Sequence, residues 1–105
     1  MSAPTVEEAY LALHDVIDPE LGYNIVDIGL VYKLEIVDGL LKVTMTMTTP
    51  GCPAQDYIMG GVDERGAAIP GIDDVDIELV WEPRWSPQMM SPIAKEYFGI
   101  TEDGA

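Results

Sequence analysis

The chain has 105 residues, enough for one domain and not comfortably two. Apolar residues make up 48% and charged residues 23%, which excludes a disordered chain, and no apolar run approaches the ~20 residues of a membrane helix. Nineteen acidic against five basic residues give a net charge of −14, which excludes nucleic acid and an anionic membrane surface as partners, since each phosphate contact needs a Lys or Arg.

Val6, Ala9, Tyr10, Leu13, Val16 and Ile17 fall on one stripe at helical spacing, so a first helix is predicted, ended by Pro19. Thr5 with Glu8 three residues on has the form of a capping box. Asp18-Pro19-Glu20-Leu21-Gly22 reads as a turn or a short helical start. A hairpin follows. Leu30, Tyr32, Leu34 and Ile36 alternate with Val31, Lys33 and Glu35, and Asp38-Gly39 is a tight-turn signal. Leu41, Val43, Met45 and Met47 then alternate with Lys42, Thr44, Thr46 and Thr48, the aliphatics inward and the threonines outward.

Thr49-Pro50-Gly51-Cys52-Pro53 breaks the strand. A helix from about Pro53 to Ala67 is predicted next, with Pro53 as its first residue, Cys52 as its N-cap, and Ile58, Val62 and Arg65 on one face. Gly60-Gly61 weakens that helix and points to a close backbone contact there. Pro70-Gly71 is a turn, and Val75, Ile77, Leu79 and Trp81 alternate with Asp76 and Glu78 in a third strand. Pro83-Arg84-Trp85-Ser86-Pro87 leads to a short helix begun by Ser91-Pro92 and ended by Gly99.

The order is α-β-β-α-β-α. A right-handed crossover makes the second and third strands parallel, while the hairpin is antiparallel. The expected fold class is α+β: a small mixed three-stranded sheet with packed helices, in a single domain over residues 1–105. Met1 to Glu8 has neither a basic region nor an apolar stretch, so no secretory signal is expected. One cysteine, Cys52, forms no internal disulfide, which suits a reducing cytoplasm.

Cys52 is the first candidate for chemistry. At a strand end and a helix start, unpaired backbone N–H groups stabilise a thiolate and raise its nucleophilicity and metal affinity. The plainer alternative is a small buried apolar residue. Thr48 and Thr49 lead into the same loop, where their hydroxyls can donate to a thiolate, sulfide or oxyanion, or merely cap the local backbone. Asp18 and Glu20 flank a proline that fixes their directions. A carboxylate near Cys52 serves as base or hard metal ligand; spacing alone reads the pair more readily as a solvated turn. His14, the sole histidine, lies off the apolar stripe and reads as a surface residue. Asp27 and the Asp73, Asp74, Asp76 run read as solvated, Trp81 and Trp85 as edge packing, Met89 and Met90 as adaptable packing.

These segments, in order, resemble the SufT/PaaD-like family of metal–sulfur cluster biosynthetic proteins. Asp18 to Gly22, Asn24 to Tyr32, Thr48 to Pro53 and Trp81 to Pro87 carry the resemblance, which covers nearly the whole chain. It implies a compact α+β fold and a role in maturing iron–sulfur proteins. It also implies that Asp18, Glu20, Thr48, Thr49 and Cys52 line one pocket. PaaD-type members look like this domain followed by a cysteine-rich region; no cysteine follows Cys52 here, so a free-standing SufT-like factor is the better match. The implied cargo is iron or an iron–sulfur cluster, held transiently, and the implied partners are iron–sulfur client or assembly proteins. A cluster wants several sulfur ligands and one chain supplies one. A homodimer could present two Cys52 thiolates, a partner could supply the rest, or Cys52 handles a persulfide or a partner's thiol instead. Two other readings stay open: a thiol-dependent transferase or hydrolase using Cys52, and an adaptor, for instance of an oxygenase system, docking through Trp85 and the last helix.

Overall fold

The computed structural model describes residues 4–48, 51 and 53–100. Helix α1 spans Val6–Leu13. Thr5 caps it as its spacing predicts, the hydroxyl oxygen accepting from the Glu8 amide at 3.2 Å. The helix stops earlier than its apolar stripe. The amides of Asp15 and Val16 donate to the carbonyls of Ala12 and Leu13, three residues back, and the Val16 carbonyl accepts from the Ile25 amide at 3.0 Å. Pairing with a second segment thus replaces helical bonding at Val16, although Val16 itself stays buried.

That pairing forms a ribbon absent from the sequence reading. Strands β1 (Ile17–Asp18) and β2 (Tyr23–Asn24) run antiparallel around the predicted Asp18–Gly22 turn. Strands of two residues carry no readable alternation, so period-two patterning is blind to them.

The main sheet has the predicted topology. β3 (Val31–Val37) and β4 (Leu40–Met45) are antiparallel, and β5 (Asp74–Leu79) lies parallel to β4 on its other side. Asp38 and Gly39 both take positive φ, 49° and 81°, as the two-residue hairpin turn requires. The β3–β4 register slips between Val31 and Lys33, leaving Tyr32 as the extra residue of a bulge.

The crossover helix α2 spans Gln55–Ala67 and carries Ile58 and Val62 into the core, with Arg65 exposed. It begins later than predicted. Its N-cap is Ala54, whose carbonyl accepts from the Ile58 amide at 2.9 Å, so Cys52 is not the N-cap. Ala54 and Ile58 are both buried, and their docking on the core sets where the helix starts. The glycine pair is half as predicted. A Cβ on Gly61 would lie 3.0 Å from a Val16 methyl, whereas one on Gly60 would meet nothing within 4 Å.

A short 3₁₀ turn (Pro87–Met89) precedes α3 (Pro92–Phe98), which Ser91 caps and Gly99 ends as predicted, the latter at φ 73°. Tyr97 and Phe98 pack their rings on Tyr23, with centroids 5.0 and 5.6 Å away. The core gathers Leu41, Val43 and Met45 of β4, Ala9 and Leu13 of α1, Ile58 and Val62 of α2, and Ile25, Ile28 and Leu30. The aliphatics of β4 point inward as expected. Thr46, expected outward, is buried: past the end of β4 its amide donates to the Leu30 carbonyl at 2.9 Å.

Candidate functional site

Asp18 ends β1 and is 1% exposed, the one charged side chain buried among the described residues. Burying a carboxylate is costly unless it is hydrogen-bonded. Its Oδ1 accepts from the Glu20 amide at 2.8 Å, which closes a local turn over Pro19, and its carbonyl accepts from the Gly22 amide at 2.7 Å. The predicted turn is therefore real, but Asp18 is not solvated within it. Glu20 is exposed at its tip.

The far side of the candidate site is the stretch from β4 to α2. Met45, Thr46 and Met47 are buried and Thr48 is half-buried. Gly51 and Pro53 are exposed and Ala54 is buried. Thr49 and Cys52 lie outside the described residues. With Ala54 as N-cap, position 52 precedes it by two residues, so the helix-start argument for Cys52 loses its closest form.

Two concavities flank this stretch. Thr48 and Met47 line a pocket of about 230 Å³ with Trp81, Arg84 and Trp85, which brings the third and fourth sequence motifs together. Beyond it, α2 and β1 enclose an open groove of about 440 Å³. Asp15 and Ile17 form one wall, and Asp56, Tyr57, Gly60 and Glu64 the other. The strand that carries Asp18 thus lies alongside the helix that follows the cysteine in sequence.

The second and fourth motifs are also joined. Trp85 donates its indole N–H to the Ile28 carbonyl at 2.7 Å, so this tryptophan is edge packing with a fixed orientation. Tyr32, turned by its bulge, donates its hydroxyl to the Pro83 carbonyl at 2.6 Å, and Met89 Sδ lies 3.5 Å away. Burial, and then the Glu82 carboxylate, raise the Tyr32 phenol above its ordinary value of 10.0, against an opposing hydrogen bond with Thr46. At neutral pH it is a fixed O–H donor.

Sequence reasoning undervalued His14 and Asp27. His14 donates from Nδ1 to the Tyr10 carbonyl at 2.8 Å, and its Nε2 stands 3.6 Å from Asp27 Oδ2. Asn24 donates to the same Oδ2 at 2.8 Å, and the Asp27 carbonyl accepts from Ser91, the cap of α3. The Asn-x-x-Asp spacing signals such a turn; the partners across it are tertiary and unreadable from spacing.

A family model described as iron–sulfur cluster assembly protein matches residues 7–79. The Fe–S protein maturation auxiliary factor SufT of Staphylococcus aureus is 46% identical over 87 residues, which cover 82% of this chain and 99% of that one. A solved structure of a conserved hypothetical protein from Thermotoga maritima superposes with a TM-score of 0.82 at 44% identity, over 95% of this chain and 100% of the other. An iron–sulfur cluster carrier protein of Synechocystis is 28% identical over 87 residues, where 83% of this chain spans 24% of the longer protein.

Proposed function

The chain belongs to the iron–sulfur cluster assembly protein family, and on that premise we propose that it matures iron–sulfur proteins through the loop that carries Cys52, as a non-enzymatic assembly or carrier factor. The cluster, or the iron within it, is cargo. Cys52 is the sulfur that handles it; Thr48 and Thr49 supply hydroxyl donors and Asp18 and Glu20 supply carboxylates. The observation that carries this reading is the buried Asp18 on a strand packed along α2, the helix just after Cys52. A carboxylate kept out of water needs a reason beyond closing a turn, since an exposed aspartate closes the same turn without the desolvation cost.

One cysteine cannot by itself satisfy a cluster, which takes several thiolates. A partner protein, either the client or an assembly protein, supplies the remaining ligands in this reading. The match to a longer cluster carrier supports it: there a domain of this kind sits within a much larger chain. A dimer with two Cys52 thiolates is the competing arrangement. The work belongs to a reducing compartment, the cytoplasm, where a lone thiol persists. No helix among the described residues is long and apolar enough to cross a membrane.

The test is Cys52→Ala in cells. Activity of client iron–sulfur enzymes falls while the melting temperature of the purified variant stays at the wild-type value. Anaerobic reconstitution with iron and sulfide, read by absorbance and native mass spectrometry, then reports whether cargo binding is lost and at what stoichiometry. Normal client activity in Cys52→Ala sinks the proposal.

A further inference from the structure

Nothing among the described residues requires a glycine at position 60. It sits in the middle of α2 with ordinary helical φ, and an added Cβ would meet nothing within 4 Å. A glycine in a helix interior weakens the helix relative to alanine. Gly61, beside it, is explained by Val16 at 3.0 Å; Gly60 is not. It is exposed and floors the groove between α2 and β1. Two large apolar side chains stand open there, Ile17 at 41% and Tyr57 at 65% exposure.

The rim of the groove is net acidic. Asp15, Asp56 and Glu64 line it with one cation, Arg65, which lies 3.9 Å from Asp15; among the described residues Asp56 and Glu64 form no ion pair. The sheet face differs: Lys42 lies in register between Glu35 and Asp76, so charge there is mixed. We propose that this groove is a docking surface for a basic segment of a partner protein, whose backbone or aliphatic stems approach the bare helix at Gly60 while its Lys or Arg heads meet the rim. A second copy is the wrong occupant, because it carries −14 and its five basic residues are spread over Lys33, Lys42, Arg65, Arg84 and Lys95. Nucleic acid and anionic lipid have the wrong sign. The proposal rests on the maturation reading only in naming the partner's class; its geometric argument is independent. It adds a place where that partner is held, along the helix that follows the Cys52 loop.

The test uses the full chain in cells with a photo-crosslinking phenylalanine at position 57, and at exposed Val37 as control. Position 57 should join a Lys- or Arg-bearing segment of another protein, and position 37 should not. Gly60→Leu and, separately, Glu64→Lys should each lower that yield about tenfold, equivalent to about 1.4 kcal/mol of binding. Gly60→Leu should melt no lower than wild type; should it fail to fold, Glu64→Lys and Gly60→Ala decide. The proposal is overturned by joining to a second copy, by joining to an acidic or uncharged segment, by no joining at all, or by a yield indifferent to these substitutions. Cys52→Ala separates the two readings. If it leaves client activity normal while the groove variants lose crosslinking, the maturation reading fails and the groove stands. If it abolishes client activity while those variants crosslink normally, the groove falls alone.

Discussion

At Asp18 a structural and a functional role can be pulled apart by one atom. Its Oδ1 accepts the Glu20 amide inside a buried turn. Asp18→Ala leaves that amide without its acceptor and should lower stability by about 1–3 kcal/mol, read as a shift of the urea midpoint. Asp18→Asn keeps an acceptor there and should stay within about 1 kcal/mol of wild type. If the carboxylate serves the cargo, both variants should lose client maturation; an active Asp18→Asn would leave Asp18 a turn residue only. Tyr32 allows a second test. Its phenol is raised above 10.0, by burial and then by Glu82, so above that pH the folded chain keeps a proton that the unfolded chain has released. Stability is therefore full below pH 10.0 and falls as pH rises through the raised folded value. Tyr32→Phe should flatten that alkaline fall in urea midpoints; an unchanged slope would assign it to other groups.

Helix α2 shows how one residue type takes opposite signs along one element. A Cβ on Gly66 would come within 2.9 Å of both Leu41 Cδ2 and Val75 Cγ2, so overpacking against the sheet should make Gly66→Ala destabilising by about 1–3 kcal/mol. Gly60→Ala meets nothing and should stabilise by up to about 1 kcal/mol. Thermal melts of the two variants side by side check the pair, and equal shifts would refute the packing account. The same helix marks the limit of reading from sequence. Its existence, its end and its buried Ile58 and Val62 were legible from period and punctuation. Its start was not, because the docking of Ala54, a tertiary matter, outweighed the preference of proline for a first helical position. Likewise the Val16–Ile25 bond that ends α1 depends on a ribbon too short to have a pattern. The candidate residues were legible as chemistry in loops. Asp18's burial and the pairing of Thr48 with Trp81 and Trp85 were not, since both arise where distant segments meet.

Across the whole molecule the charge is legible in amount but not in placement. The net −14 follows from composition. The structure distributes it unevenly. On the sheet, Lys33 is 3.5 Å from Glu35, and Lys42 sits between Glu35 and Asp76 in register, so signs alternate. On the helical side, Glu7, Glu8, Asp15, Asp56, Asp63 and Glu64 face solvent, and Arg65 is the one cation that α1 and α2 contribute. Like charges there are forced together by folding and relax apart on unfolding. Salt screens them, over about 10 Å at 0.1 M. Raising potassium chloride from about 20 mM to about 0.5 M should therefore move the urea midpoint upward while the slope m, set by exposed area, stays constant. Chloride is the right anion, since sulfate strengthens burial by exclusion and would raise the midpoint of any protein. Glu64→Lys should weaken the response, as it removes repulsion at its centre. A midpoint that is flat or falls with salt would mean that attractive pairs outweigh the acidic helical face, and that this face is not the strained surface its composition implies.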